Sequence, residues 1–471
     1  MTTRKFFAAL LSAVFAIGMA NTADAQLFGK KSNRKHKQET TAEGEPQESK
    51  KERKRRRKEE RKREKEEKKK ERKHKSKKDK TSSKKEGKKT SRKNSTPRKH
   101  DINYASTQKK DRYRIDLLAS LYLDELVTGN SANFRDRLPE KAIPGVAFYQ
   151  GVKLAADSLN AAGYSIDVYV HDITSASETP EQLILNRKLD SSDLVLGAVQ
   201  SRDIAMLAGF AKRKHVNFVS ALSPANGNVK DNPYFTLLQP SLKTHCEWIS
   251  SDLTKKFPNQ RIALLYRTTV QADDNAWKYF INEIEGEADV NELQCNTLPT
   301  KEQMQGVFDT SKPNVVVMPV LDIDYADSLL RALAIYFPNT HFEVYGMPTW
   351  TNLEGMRKPK AYHNLTINIS HPFHFDQASA MVQQVDHSYK KQYSGTPSEF
   401  VYRGYETIMW YAGLLNKYGT IFNEKYTDLS GAPFTKFNVT PVWDKRGYIL
   451  YHENTHIYLT TYEAGMSKTV E

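Results

Sequence analysis

Cysteine is nearly absent from this chain: Cys246 and Cys295 are the only two in 471 residues, so no paired-cysteine zinc site can be built. A glycine-rich phosphate loop and a G-x-S-x-G nucleophile elbow are also missing, which removes the usual sequence support for nucleotide and hydrolase chemistry. The apolar run Phe6 to Met19 is shorter than the roughly 18 residues that cross a bilayer. No cysteine lies near Gln26, which excludes a lipid-modified cysteine at that junction. Residues 27 to 110 have almost no apolar side chains, and a segment of that composition cannot bury a core.

What is present begins with Arg4 and Lys5, the apolar run, and Ala23-Asp24-Ala25 before Gln26. This is the layout of a secretory signal peptide over residues 1–25, and it predicts a periplasmic or cell-envelope protein. Residues 26–110 carry 36 Lys+Arg against 14 Asp+Glu, whereas the chain from Asp111 onward carries 34 against 41. The basic character therefore belongs to a disordered tail and linker, and the folded part is mildly acidic. No nucleic-acid partner is expected, because such domains carry a basic footprint of their own. Outside a membrane the tail suits anionic envelope polymers or lipid head groups, with contacts that weaken in salt; the alternative is a solvated spacer.

From Arg114 onward short apolar strands alternate with helical stretches, which predicts parallel sheets covered by helices. Strands are expected at 115–121, 166–171, 194–199 and 217–222, and a second set at 261–266, 314–320, 342–346 and 365–370. The clearest helix is 142–162, where Val146, Tyr149, Val152, Ala155 and Leu159 recur at three- and four-residue steps and Gly163 stops the run. A second helix is expected over 399–415, followed by strand-like 434–443 and 449–462. About 360 residues is comfortable for two cores. The boundaries expected are lobe 1 at about 111–238 plus part of 399–471, and lobe 2 at about 242–398, joined through 233–241. A bridge between Cys246 and Cys295 would close a loop of about 50 residues and add roughly 4 kcal/mol in the chain-entropy treatment. Two buried free thiols are the other reading, and the sequence leaves both open.

Several segments, in order, resemble one known family. Gly145 to Asn160 is similar to its G…GVxLAxDxxN helix, Gly197-Ala198-Val199-Gln200-Ser201 to a strand end, and Asn217 to Pro224 and Arg261 to Tyr266 to two of its strands. Tyr402-Arg403-Gly404-Tyr405-Glu406 resembles its GYDA helix, and Trp443 to Gly447 its FDxxG turn. The family is the type I periplasmic binding proteins, in particular the branched-chain amino-acid-binding group that serves ABC transporters. The resemblance implies an α/β fold of two lobes, each a parallel sheet flanked by helices, with a small polar ligand, an amino acid or peptide-like molecule, between them and an ABC-transporter permease as a possible partner. It implies ligand contacts at Ser201, Ser220 and Ser223 from the first lobe and at Arg267, Asp322, Thr349 and Trp350 from the second, with Asp322 receiving an ammonium group. For the serines and Asp322 the competing role is helix capping; for Trp350 it is packing. The chain departs from the pattern where a longer charged loop, 121–139, replaces the usual glycine-rich turn, where Ala198 replaces a proline, and where Glu406 replaces an aspartate. These departures bear on amino-acid specificity and permit the alternative of an envelope-tethered interaction scaffold that has kept the shape without a small ligand, while an extracytoplasmic solute-binding protein is the leading expectation.

His452-Glu453-Asn454-Thr455-His456 is a literal H-E-x-x-H, which binds zinc only when a helix puts both histidines on one face. The β-branched and aromatic residues on both sides predict strands and a turn instead. His371, His374 and Asp376 share a loop without a fourth partner. The chain is accordingly expected to be no enzyme, with no metal and no cofactor.

Overall fold

The computed structural model describes residues 99–471 except 130, 135, 136, 285 and 471. The expected leader and the tail from 26 to 98 lie outside the described residues.

The first strands in chain order are β1 (Tyr113–Ala119), a short hairpin of β2 (Val127–Thr128) and β3 (Ser131–Ala132), β4 (Ile166–Asp172), β5 (Leu194–Ala198), β6 (Asn217–Ser220) and β7 (Phe235–Leu237). A second run continues as β8 (Ile262–Tyr266), β9 (Val290–Gln294), β10 (Asn314–Val317), β11 (Phe342–Gly346) and β12 (Leu365–His371). The chain finishes with β13 (Val439–Trp443), β14 (Ile449–Asn454), β15 (Tyr458–Glu463) and β16 (Met466–Val470). These strands build two seven-stranded sheets, β13-β14-β7-β6-β5-β1-β4 and β16-β15-β12-β11-β10-β8-β9. All pairs from β14 to β4 and from β12 to β9 are parallel, and only the last-arriving β13, β15 and β16 join antiparallel. The central strands LVLGA and NVVV are buried almost throughout, as sheets with helices on both faces require.

Among the helices of the described residues that frame the two cores and the crevice are α1 (Ile143–Ala161), α2 (Ser201–Lys214), α3 (Leu242–Lys256), α4 (Ile323–Tyr336), α5 (Ala380–Tyr393) and α6 (Glu399–Tyr418). The first core joins β1 and β5 to α1, α5 and α6, and the second joins β8, β10, β11 and β12 to α3 and α4. Helices α1 and α6 touch backbone to backbone. A Cβ on Gly151 would sit 1.9 Å from the Val401 carbonyl oxygen, and one on Gly404 2.1 Å from that of Phe148. Two of the glycines that carry the family resemblance are thus there because any larger residue would push this helix pair apart.

The chain passes between the sheets three times: after β7 at 238–241, after β12 at 372–379, and between β14 and β15 at 455–457. The last crossing divides the run 449–462, which the sequence presents as strand-like throughout, between two different sheets. Two further expectations are corrected, and the open question of the two cysteines is decided in favour of free thiols. Helix α5 falls within the range expected for the second lobe, yet it buries Val382, Val385, Tyr389 and Tyr393 in the first core, with the Tyr389 hydroxyl donating to Gln150 Oε1 at 2.9 Å. Residues 99–110, expected to belong to the disordered tail, are pinned to the first lobe. His100 stacks on Tyr448 at 4.0 Å, the Ala105 amide donates to the Tyr234 hydroxyl at 2.7 Å, and the Thr420 amide donates to the Gln108 carbonyl at 3.0 Å. The disulfide does not form: Cys246, on α3, and Cys295, just past the edge strand β9, are separate free thiols, both buried. Burial pushes the Cys246 thiol far above its ordinary range and that of Cys295 up to about 12. The long loop after β1 is held by the Asp172 carboxylate, which accepts from the amides of Leu121 at 3.0 Å and Leu123 at 2.8 Å.

Candidate interlobe site

Parallel sheets leave a crevice at their carboxyl ends, and ligands of such folds sit there. In the first lobe Ser201 and Ser223 meet: their hydroxyls share a hydrogen bond of 3.1 Å at the start of α2. The residue before, Gln200, gives no side-chain cap to this helix; its side-chain amide donates to the Tyr122 hydroxyl instead, at 3.1 Å. Ser201 is exposed and Ser223 buried. Ser220 is wholly buried at the end of β6, and its hydroxyl has no partner among the described residues.

The four second-lobe candidates also come together, around the turn from β10 into α4 rather than around an open face. Asp322 caps α4, accepting from the Tyr325 amide at 3.2 Å, and pairs with Arg267 Nη2 at 3.3 Å. Burial pushes its carboxyl up, but the Tyr325 amide and Arg267 outweigh that and hold it below its ordinary value. Arg267 is itself paired with the buried Asp273 and lies 4.5 Å over the Tyr325 ring. Thr349 donates to the Leu321 carbonyl at 2.8 Å, and Trp350 Nε1 to that of Val320 at 2.6 Å. Trp350 is fully buried in the second core. This corrects two expectations: Trp350 does not face the crevice, because its ring fills the space above Gly346, and Asp322 already has a cation, the guanidinium of Arg267.

The interlobe site contains residues that the resemblance did not mark. Arg403 on α6 extends to the base of the crevice, where its Nη2 donates to the Ala221 carbonyl and to Gln239 Oε1, both at 2.6 Å, and its guanidinium lies 4.4 Å over the Phe373 ring. It thereby joins the end of β6, the first crossing and the second. One turn along α6, the buried Glu406 accepts from the Phe434 amide at 2.8 Å and from the Thr435 hydroxyl at 2.7 Å. Burial pushes Glu406 up to about 7 and brings Arg403 down to about 10. These residues line a partly open depression of about 270 Å³, of which about 20 Å³ is open to the centre of a water molecule. The smaller figure is room for one or two water molecules. A signal in the sequence existed: Arg403 and Glu406 stand three residues apart in a helix otherwise rich in Val, Tyr, Gly, Ile and Trp.

Glu453 makes the other charged connection. It belongs to β14 in the first lobe, and its Oε1 accepts from the Ser241 amide at 2.8 Å and from the Thr244 hydroxyl. Ser241 is the N-cap of α3, so a first-lobe carboxylate closes the N-terminus of the first helix of the second lobe, where negative charge is favoured. The rest of the H-E-x-x-H motif obeys strand geometry. His452 is buried on β14, sharing a hydrogen bond of 3.2 Å with the Tyr104 hydroxyl, while His456 lies beyond the strand with its ring edge-on to Tyr458. Burial lowers His452 and His371 to about 4 and His245 to about 3. Among the described residues no three His, Cys, Asp or Glu side chains gather as metal ligands, and no helix is long and apolar enough to cross a membrane.

No family model and no curated protein sequence matches the chain. Solved structures do. A putative branched-chain amino acid ABC transporter protein from Rhodospirillum rubrum superposes with a TM-score of 0.55 and 13% identity over 76% of this chain and 100% of that one. An ABC transporter substrate-binding protein from Desulfitobacterium hafniense gives 0.50 and 12% over 76% and 100%. Full-length LpoA from Haemophilus influenzae gives 0.50 and 13% over 77% of this chain and 60% of that one. Identities this low show the fold alone, the two-lobed type I periplasmic-binding-protein fold.

Proposed function

We propose that this chain is a non-catalytic interaction scaffold of the cell envelope, with two lobes held at a fixed angle and a basic tail, 26–98, that tethers it to anionic lipid head groups or wall polymers. The observation that supports this reading is the set of charged ties across the crossings, one from the half-buried Arg403 and one from the buried Glu453. A solute-binding protein closes by changing a few backbone angles at its hinge. Here Arg403 joins the first and second crossings, and Glu453 joins the strand leading into the third to the first helix of the other lobe. A hydrogen bond to a charged group contributes about 1.5–3 kcal/mol, and several of them set across the crossings oppose the change of hinge angles that closure needs.

A second reading has its own observation. The Ser201–Ser223 pair at the uncapped start of α2 is the kind of place where an anion binds, which favours an extracytoplasmic solute-binding protein for an amino acid or peptide-like ligand, working with an ABC-transporter permease. One experiment separates the two. Fluorophores on Leu185 and Ile335, exposed positions of the two lobes, report interlobe distance in the full chain while pools of amino acids and short peptides are added. The scaffold predicts an unchanged distance and salt-sensitive binding to vesicles containing anionic lipid. A saturable shortening with any pool overturns it in favour of the solute-binding reading.

A further inference from the structure

Arg403 is half-buried, and a guanidinium drawn partly out of water is best held by an anion or a full set of acceptors. Arg403 has neither. Both of its hydrogen bonds come from Nη2 and end on neutral oxygens, the Ala221 carbonyl and Gln239 Oε1. Its Nε and Nη1 have no hydrogen-bond partner among the described residues and are not sealed from the space beside them. Glu399 and Glu406 lie near enough to act through space, but neither pairs with it. Glu406 is turned to the Phe434 and Thr435 amides and the Thr435 hydroxyl. Phe373 covers one face of the guanidinium, which leaves its edge as the open direction. The depression beside that edge is partly open and has room for one or two water molecules, which a small planar anion would displace.

We propose that the hinge cavity beside Arg403 is a carboxylate-binding site in which Nε and Nη1 grip the two oxygens of one planar anion, with Thr407 and Phe437 among its walls. Planar bidentate recognition is what distinguishes arginine from lysine. The site differs from the Ser201–Ser223 pair, and it stands whether or not the lobes move. Because Gln239 and Phe373 belong to two of the three crossings, an anion here fixes the geometry of the hinge. The carboxylate has two possible sources, a free monocarboxylate of one or two carbons or the α-carboxylate of an amino acid lying in the larger depression.

The test is thermal unfolding of the full chain in sodium formate, sodium acetate or leucine, against sodium methanesulfonate at equal ionic strength. A saturable rise of the midpoint in formate or acetate that is lost in Arg403→Lys identifies a free small carboxylate. A rise in leucine alone, also lost in that variant, identifies the amino-acid source and at the same time overturns the scaffold reading. Arg403→Lys also weakens the hold on Gln239, so Ala221→Val supplies a second variant: it adds methyl groups to the cavity, leaves the guanidinium in place, and should abolish the same rise. No rise with any of the three carboxylates in the natural chain, or a rise that persists in both variants, overturns the site.

Discussion

Replacing Glu453 by Gln keeps the shape of the side chain and removes its charge, which isolates the tie between the lobes. In the structure one carboxylate oxygen receives the Ser241 amide and the Thr244 hydroxyl at the N-terminus of α3. A hydrogen bond to a charged group contributes about 1.5–3 kcal/mol and a neutral one about 0.5–1.5. Downgrading two of them, with the loss of a negative charge at a helix N-terminus worth about 0.3–1 kcal/mol, gives a local loss of at least about 2 kcal/mol. Hydrogen exchange reads this directly, because the Ser241 amide is one of the two donors. Its opening equilibrium should rise roughly 30-fold, and the next amides of α3 should behave likewise, while central β5 amides of the first sheet keep their protection. The interlobe distance distribution should broaden in the same variant. Exchange at Ser241 within about twofold of the natural chain, together with an unchanged distribution, would refute the claim that Glu453 fixes the joint.

Gly404→Ala should destabilise the first lobe by more than about 2 kcal/mol in urea unfolding, since its Cβ would overlap the Phe148 carbonyl oxygen in a backbone-to-backbone contact that cannot relax locally. Glu406 gives a pH signature with a definite sign. Its folded pKa, about 7, lies above the ordinary 4.5, so the folded state holds the proton more tightly than the unfolded one. Its contribution is fully present below about 4.5 and is lost as pH rises through about 7. The stability of the natural chain relative to Glu406→Gln should therefore fall across that window, by an amount on the order of 1.4 kcal/mol for each tenfold difference in proton affinity between the two states. A difference independent of pH would contradict this. Cys246 and Cys295 should both resist a thiol reagent in the folded protein and both react in denaturant, with the same unfolding midpoint in the presence and absence of reductant.

Much of the architecture could be read directly from residue order. Alternating apolar strands and amphipathic helices mark two α/β units, because the period of burial is written locally: β5 is apolar at every position, and α1 carries its stripe at three- and four-residue steps. Gly151 and Gly404 stood out as elements of a resemblance, though not the reason for them, which is a contact between helices some 250 residues apart in the chain. The second-lobe candidates Arg267, Asp322, Thr349 and Trp350 do stand after strand ends. What sequence could not tell is whether such residues face the crevice or hold their own turn, since both uses require the same residue types at the same strand ends.

By itself the sequence determined the separation of a basic tail from an acidic folded part, the α/β class, the two-unit organisation and the strands on both sides of the H-E-x-x-H segment, all of which depend on composition and local periodicity. Tertiary structure alone decided the rest. It split 449–462 between two sheets, put α5 in the first core, kept Cys246 and Cys295 apart, and brought Arg403 to Gln239 and Phe373 and Glu453 to Ser241. Those outcomes rest on contacts between residues from about 30 to more than 200 positions apart, and the free energy of such a contact depends on what surrounds it after folding, which no local pattern encodes.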